Sequence, residues 1–356
     1  MEYHALRNLK TGVLALVLMV LAVMSGRAQD IHFSQFYMSP LTLNPAMTGV
    51  MNCNNRFIAN YRNQWASILK SNAYNTYAVS YDHKVPVGQY DNFGIGGSFY
   101  GDVAGQLNFG TMKAALSGSF SKKMFGNRRN SHYLVAGTSL GYAFRTIDFT
   151  QARWGLQHDN NGGFDPTLPT GEESKLYQDN LSFVDLNVGL LWFSVLNKDN
   201  NVYLGVAYDH LNQPNIAFEE GTTIPLYGKY TIHAGGEINI NRQYSILPGI
   251  VMLSQGPSFE INGGTSFRFL FGPRDAQQSV QFGLWTRLAN HYEKSILMDA
   301  IILSTRFDYN QFGLGFSYDV NTSPLRQASG SNGSFEFSLI YKLCGAENRG
   351  VYCPEF

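Results

Sequence analysis

Apolar and polar residues alternate with a period of two along most of this chain. In the stretch SFEFSLIYKL, residues 334–343, the apolar residues that share one face are Phe335, Phe337, Leu339, Tyr341 and Leu343. The stretches 182–192 and 311–320 show the same alternation. Because successive side chains of a β-strand point to opposite faces, the pattern predicts strands with one apolar side and one polar side.

The alternation predicts fourteen strands, over residues 56–65, 74–84, 92–101, 109–121, 132–146, 182–194, 201–211, 229–240, 244–253, 257–270, 280–288, 296–304, 310–320 and 334–343. Strands of soluble proteins average about 5 or 6 residues, whereas a strand that crosses a bilayer at a tilt needs about 9–11. Most of the predicted strands reach the second length. Strand length therefore favours a transmembrane barrel over a soluble β-sandwich.

The composition of the two faces supports the same class. The polar faces are rich in Gly, Ser, Asn and Gln and carry few charges, which suits a crowded lumen better than an open surface. Many apolar faces end in Tyr, Trp or Phe, as at the interfaces of a bilayer. Since an open sheet edge would leave amides unpaired in hydrocarbon, we predict an all-β fold, a closed transmembrane antiparallel β-barrel of about 14 strands over residues 56–343.

The predicted connections differ in length. Residues 241–243 form a short turn, whereas residues 147–181 and 212–228 form long polar loops. In outer-membrane barrels the short turns face the periplasm and the long loops face the outside. We therefore expect residues 147–181 to be the largest feature of the outer surface.

The first 28 residues indicate export. Arg7 and Lys10 precede a short apolar run, residues 13–24, and Gly26-Arg27-Ala28 supplies the small residues that a signal peptidase recognises. The alternative is a membrane-spanning helix, which needs about 20 apolar residues, more than this run contains. We predict a signal peptide over residues 1–28.

Charge and composition exclude several classes of function. The formal net charge is zero, whereas nucleic-acid binders carry a basic excess on one face, so we expect no nucleic-acid partner. Aromatic residues make up 14% of the chain and charged residues only 15%, a balance typical of a β-sandwich or a transmembrane barrel. By length alone, the chain fits two soluble domains of about 150 residues each or one large barrel.

Motifs for metal binding or catalysis are weak. The stretch DNNGGFD, residues 159–165, superficially resembles a calcium loop, but only Asp159 and Asn161 fit the ligand spacing of an EF-hand. The glycines of GIGG, residues 94–97, lie within a predicted strand, where they ease curvature and leave room for bulky neighbours rather than hold a phosphate. No sequence pattern marks a set of Ser, His and acidic residues for catalysis. We expect no enzymatic activity, no metal and no cofactor.

Residues 30–49, DIHFSQFYMSPLTLNPAMTG, break the alternation. Pro40 and Pro45 cannot donate to a strand ladder, and Asn44 before Pro45 indicates a turn. Side chains such as Phe33 are too apolar to remain in water, so they must pack against the lumen, the rim or another protein. Two hypotheses follow for an N-terminal segment, residues 29–55, on the periplasmic side of the barrel: it is a plug that seals the lumen, or it docks a partner.

This stretch resembles the N-terminal signature of the PorP/SprF family of type IX secretion membrane proteins from Bacteroidetes, D-x-x-F-S-Q-x-x-x-x-P-x-x-x-N-P-A-x-x-G. The matching positions that we select as candidates for partner docking or for the plug are Phe33, Ser34, Gln35, Pro40, Asn44, Pro45 and Gly49. Further stretches resemble the family's first strand, second strand, penultimate hairpin and C-terminus: residues 56–65, 77–82, 317–341 and 353–356.

The resemblance implies a non-enzymatic barrel in the outer membrane of the cell, in contact with its lipid, that works with the type IX secretion and gliding apparatus. Its implied partners are periplasmic ring or translocon proteins and a secreted cargo protein, whose export or surface anchoring it assists. One alternative is a channel for hydrophobic or small polar solutes, with residues 29–52 as a movable plug. A soluble sandwich adhesin is the third hypothesis.

Three cysteines, Cys53, Cys344 and Cys353, are present in a chain predicted to be exported, where disulfides are permitted. One cysteine is left over whichever pair forms. Cys344 and Cys353 bracket the C-terminal tail, residues 344–356, and we hypothesise that they form a bridge that fixes this tail against the periplasmic rim.

Overall fold

The computed structural model describes residues 30–127, 130–158, 163–171, 178–196, 200–272, 278–290, 296–324, 326–345 and 353–354. The chain divides into two compact units, Met1–Asp30 and Ile31–Phe356, and the fold below belongs to the second unit. The predicted signal peptide, residues 1–28, lies outside the described residues. Within the described ranges, no helix has both the length and the apolar character needed to cross a membrane.

Fourteen antiparallel strands form a closed barrel in which each strand pairs with its neighbours in the sequence and β1 pairs with β14. The strands are β1 (Asn55–Gln64), β2 (Tyr74–Val87), β3 (Asp91–Ala104), β4 (Phe109–Gly126), β5 (Ser131–Thr146), β6 (Asn180–Leu196), β7 (Asn200–Asp209), β8 (Lys229–Asn239), β9 (Tyr244–Gln255), β10 (Ser258–Phe271), β11 (Gln278–Asn290), β12 (Ile296–Tyr309), β13 (Phe312–Asn321) and β14 (Asn332–Leu343). The predicted fold class is confirmed, and each predicted strand corresponds to an observed one.

Helical structure in the described residues is limited to single turns. Short α-helical turns occur at Pro40–Leu43, Ala66–Leu69 and Arg326–Ser329, and 3-10 turns at Phe36–Met38, Pro45–Met47, Lys70–Asn72, Phe149–Gln151 and Gly155–Gln157.

The alternation of the sequence appears in the barrel as an apolar outside and a polar inside. On β14, Phe337 is 47% exposed on the outer face, whereas its neighbours Glu336 and Ser338 are each 1% exposed in the interior. An outward apolar face suits contact with lipid, and the closed ladder pairs the strand amides that lipid cannot satisfy. The core of this molecule is therefore its polar lumen.

The two ends of the barrel differ in the length of their connections. We call one end the short-turn mouth, because it carries the connections 88–90, 127–130, 197–199, 240–243, 272–277 and 310–311, together with the start of β1 and the end of β14. We call the other end the long-loop mouth; its connections are 65–73, 105–108, 147–179, 210–228, 256–257, 291–295 and 322–331. Both loops predicted to be long lie at this mouth.

The described parts of the two longest loops pack on each other. Phe149 of one loop and Phe218 of the other lie edge to face with ring centroids 6.4 Å apart, and Gln178 N–H donates to the Phe218 carbonyl oxygen (2.8 Å). In the stretch that resembles a calcium loop, residues 159–162 lie outside the described residues. The Asp165 carboxylate accepts the Thr167 hydroxyl and N–H, and these hydrogen bonds lower the pKa of Asp165 below its usual range.

The disulfide joins Cys53 to Cys344, so the hypothesis of a Cys344–Cys353 bridge is wrong. The reason lies in barrel closure. Asn55, the first residue of β1, pairs with Leu343, the last residue of β14, so the residues just outside the two strands face each other. The Cα atoms of the two bridged cysteines are 4.1 Å apart, and Cys353 lies outside this bridge.

Peptide mapping of the purified protein without reductant should recover the fragments of Cys53 and Cys344 as one linked species, whereas a linked Cys344–Cys353 fragment would contradict the structure. Joint substitution of Cys53→Ser and Cys344→Ser should lower the temperature at which the folded band converts to the unfolded band in detergent gels. The free energy of unfolding should fall by about 2–5 kcal/mol, the usual cost of removing a native disulfide. Cys353→Ser is the control that keeps the bridge.

Candidate functional site

Residues 31–53, which we call the lumen segment, run through the inside of the barrel as a series of short turns. Pro40 and Pro45 each stand at the start of a turn, where the N–H that proline lacks would have no helical partner. The Asn44 side chain accepts the Ala46 N–H (2.8 Å) and so caps the second of these turns. The local sequence thus favours compact turns over a strand.

The structure places all seven sequence-predicted site residues inside the barrel, spread along the lumen segment from one mouth to the other. All seven are buried: Phe33, Ser34, Gln35, Pro40, Asn44, Pro45 and Gly49. Because they are buried, in this conformation their side chains are not presented to a partner in solution. The hypothesis of a plug requires that these residues stay buried in the lumen. The hypothesis of partner docking through these side chains requires that they leave it.

The end of the lumen segment near the long-loop mouth is held by buried charges. Glu336 accepts two consecutive backbone N–H groups, from Ser34 (2.6 Å) and from Gln35 (2.9 Å). The Ser34 hydroxyl donates to Asp319 (2.8 Å). Arg62 pairs with Glu336 (3.1 Å) and Arg287 pairs with Asp319 (2.9 Å). We call Arg62, Arg287, Asp319 and Glu336 the long-loop anchor.

The long-loop anchor lies near the ends of its strands. Arg62 is close to the end of β1, Glu336 is close to the start of β14, and Asp319 is close to the end of β13. The guanidinium of Arg62 also donates to the carbonyl oxygen of His32 (2.9 Å), which fixes the chain as it enters the lumen. Because isolated charges are expensive to bury, the two arginines and two carboxylates stabilise the site only as a paired set.

In the middle of the lumen, aromatic rings fix the segment against β11 and β12. Tyr37 stacks on Trp285 with ring centroids 5.3 Å apart, and Phe36 meets the same indole edge-on at 5.5 Å. The Tyr37 hydroxyl donates to Ser304 (3.1 Å). On β1, the Asn60 amide donates to the Met38 carbonyl oxygen (3.1 Å).

Three inward-facing glycines let the segment approach the wall at backbone distance. Gly94 lies opposite Ser119, Ser119 opposite Gly137, and Gly137 opposite Gly189, so they form one row across β3 to β6. We call Gly94, Gly137 and Gly189 the glycine row. A Cβ on Gly137 would stand 2.5 Å from the Ala46 backbone nitrogen.

The other two glycines of the row are equally close to the segment. A Cβ on Gly189 would overlap the Asn44 side chain, and one on Gly94 would overlap the Thr48 carbonyl group. The sequence predicted that strand glycines such as Gly94 ease curvature and leave room for bulky neighbours, but it did not identify the backbone of the lumen segment as that neighbour. The available signal was that glycines recur at inward-facing positions of neighbouring strands.

The end of the segment near the short-turn mouth is held by a second set of charges, Arg56, Asp82 and Lys84, which we call the short-turn anchor. Asp82 accepts the Gly49 N–H (2.8 Å) and a bidentate pair from Arg56 (3.0 and 2.8 Å). Arg56 also donates to the Met47 carbonyl oxygen (3.2 Å), and Lys84 donates to that of Met51 (3.1 Å). Gly49 has a φ of +70°, which favours glycine.

The described part of the C-terminal tail, residues 353–354, packs on this same end of the segment. The Cys353 N–H donates to the Asn52 side-chain oxygen (2.7 Å). Cys353 is 7% exposed and lies in one apolar cluster with Met47 and Val50 of the segment and Phe193 of β6. The tail, the segment and the barrel wall therefore meet at the short-turn mouth.

The lumen segment leaves little space beside it. Two cavities that border the segment near Phe36 have volumes of about 40 and 20 Å³, enough for single water molecules rather than for a sugar or an aromatic solute. In the described ranges, no group of three or more His, Cys, Asp or Glu side chains is arranged to hold a metal ion. The chemistry of the site is thus hydrogen bonding and ion pairing that hold a peptide inside a barrel.

The comparisons with known proteins agree with the sequence resemblance. The family model described as "Type IX secretion system membrane protein PorP/SprF" matches residues 25–341. No curated protein sequence matches the chain significantly. Among solved structures, a deletion mutant of the TodX monoaromatic hydrocarbon channel is 9% identical, with a TM-score of 0.48 over 86% of this chain and 94% of that one.

Two further solved structures are similar at the same low level. The Pseudomonas putida toluene transporter TodX is 8% identical, with a TM-score of 0.43 over 85% of this chain and 91% of that chain. CdiB from Acinetobacter baumannii is also 8% identical, with a TM-score of 0.43 over 81% of this chain and 60% of that chain. At these identities the similarity concerns the fold alone.

The glycine row generates a stability prediction. Gly137→Val should place a side chain where the backbone of Ala46 lies, and overpacking of this kind typically costs about 1–3 kcal/mol. The variant should convert to the unfolded band at a lower temperature in detergent gels, and proteases should cleave residues 31–53 faster. Gly118→Val, on the lipid-facing side of the neighbouring strand β4, is the matched control, because a Cβ there has its nearest contact at 3.8 Å. Equal effects of the two substitutions would contradict the role of the row.

Proposed function

The chain belongs to the PorP/SprF family of type IX secretion system membrane proteins, and from this membership and the filled lumen we propose that it is a non-conducting scaffold of that machinery. It is a β-barrel of the outer membrane. In the proposed role, one mouth docks periplasmic ring or translocon proteins, and the other mouth contacts a secreted protein whose export or surface anchoring it assists.

The observation that carries the proposal is the lumen segment. It is fixed by the long-loop anchor at one end and by the short-turn anchor at the other, with the glycine row between them. The cavities beside it near Phe36, of about 40 and 20 Å³, are too small for a sugar or an aromatic solute. Such an interior supports binding at the mouths rather than passage of solutes through the barrel.

The two mouths offer different surfaces for partners. With the usual orientation of outer-membrane barrels, the short-turn mouth faces the periplasm. There the Cys53–Cys344 bridge and the packed residues 353–354 provide a structured surface for a ring or translocon protein. The long-loop mouth faces outside and exposes apolar side chains such as Leu156 (68% exposed) and Leu168 (41% exposed), which are suited to contact with a secreted protein.

Conductance distinguishes the scaffold from a solute channel. The purified full-length protein in planar bilayers should be electrically silent, because its own segment occupies the lumen. A variant that lacks residues 30–49 should conduct, since a barrel of this strand number encloses a passage once nothing fills it. Steady conductance of the full-length protein would favour the channel over the scaffold.

Secretion tests the scaffold directly. Deletion of residues 30–49 should leave a barrel in the outer membrane, detected by its heat-modifiable mobility, but should abolish export of the cargo, because the short-turn mouth loses the packing beneath its partner surface. Gly118→Val provides the control with an intact segment. Normal export by the deletion variant, with the barrel inserted, would contradict the proposed role of the segment.

A further inference from the structure

The lumen segment connects the two mouths by a single continuous stretch of chain. Near the long-loop mouth, the His32 carbonyl oxygen is bound by Arg62, close to the end of β1. Near the short-turn mouth, the segment ends at Cys53, which is bridged to Cys344 and lies two residues before the start of β1. Residues 32–53 therefore extend from one mouth to the other inside a closed ladder of paired strands.

The wall holds the backbone of this segment as well as its side chains. The N–H groups of Ser34 and Gln35 donate to Glu336, and the N–H of Gly49 donates to Asp82. Between them, the Thr48 carbonyl oxygen accepts the Ser119 hydroxyl (2.5 Å). A chain held at its backbone and packed against glycines cannot shift at one point without shifting its neighbours, since close-packed interiors transmit strain.

The C-terminal tail depends on the far end of the same segment. The Asn52 side-chain oxygen accepts the N–H of Cys353, and Met47 and Val50 belong to the same buried apolar cluster as Cys353. Residues 353–354 are thus held through residues of the segment as well as by the barrel wall. Withdrawal of residues 47–52 would remove both the hydrogen bond and part of the apolar contact.

We propose that the lumen segment links the two mouths mechanically: displacement of residues 32–35 at the long-loop mouth moves residues 47–52 and releases the tail at Cys353–Pro354 at the short-turn mouth. Contact of a protein with one mouth of the barrel then changes the surface that the other mouth presents. This inference rests on the path and contacts of the segment and holds for either orientation of the barrel.

The test weakens the long-loop anchor and measures the effect at the opposite mouth of the full-length protein. Ser34→Pro removes the N–H that donates to Glu336 and the hydroxyl that donates to Asp319, and leaves every strand residue unchanged. The rate of Cys353 labelling by a maleimide should rise by about tenfold or more, as expected when a local opening loses hydrogen bonds to buried charges. Hydrogen exchange of residues 47–52 should accelerate in parallel, while the amides of β5 stay protected.

Tyr61→Phe is the matched control. It removes a hydrogen bond to Asn75 (2.8 Å) near the same mouth, but on the lipid-facing side of β1. Cys353 should label in this variant as slowly as in the unsubstituted protein.

A cross-link separates transmission along the segment from general loosening of the barrel. The hydroxyl oxygens of Thr48 and Ser117 are 2.9 Å apart, so Thr48→Cys with Ser117→Cys should form a disulfide that ties the moving residues 47–52 to β4. In the oxidised cross-linked protein, Ser34→Pro should leave Cys353 labelling slow. Two results would overturn the proposal: Ser34→Pro frees residues 32–35 in hydrogen exchange without any change at Cys353, or it accelerates labelling equally with the cross-link closed.

Discussion

Hydrocarbon offers no hydrogen-bond partner to a peptide group, and this constraint determines the architecture of the molecule. The strands close on themselves through the pairing of β1 with β14, so that the ladder leaves no open edge. Their apolar side chains occupy the lipid-facing side, which leaves the lumen as the place for polar and charged ones. The interior of this protein is consequently the reverse of a soluble core, with Arg56, Asp82 and Glu336 among its most deeply buried side chains.

Such a lumen requires compensation for its buried charges, and the chain supplies much of it from its own N-terminal region. Carboxylates of the wall accept backbone N–H groups of the segment, at Glu336 near one mouth and at Asp82 near the other. Hydrogen bonds to charged groups contribute about 1.5–3 kcal/mol each. The wall and the segment therefore complete each other: without the segment the carboxylates lose donors, and without the wall the apolar residues of the segment face water.

Much of the fold followed from the period of the sequence. Strands such as residues 334–343 face lipid on one side and the polar lumen on the other, and this difference appears in the sequence as a period of two. The residues of the N-terminal signature were identified, but their position inside the barrel was only one of two hypotheses, because an irregular apolar stretch packs equally well on a lumen or on a partner.

The features that the sequence pattern did not predict correctly depend on long-range geometry. The disulfide was assigned to Cys344 and Cys353, which are close in sequence, whereas closure of the barrel brings Cys53 opposite Cys344. The role of Gly137 depends on which distant segment packs against it inside the lumen, and no local pattern contains that information. Periodicity describes the environment of each strand, and it does not describe which distant segment occupies the space that the strands enclose.

The bond between Cys53 and Cys344 has a consequence for biogenesis. Its two cysteines flank the first and last strands to be synthesised, and the pairing of β1 with β14 brings them side by side. The segment that fills the interior ends at the first of these cysteines, so the same bond ties the end of that segment to the end of β14. The disulfide therefore covalently fixes the closed state of the barrel. It does so at the short-turn mouth, where β1 begins and β14 ends.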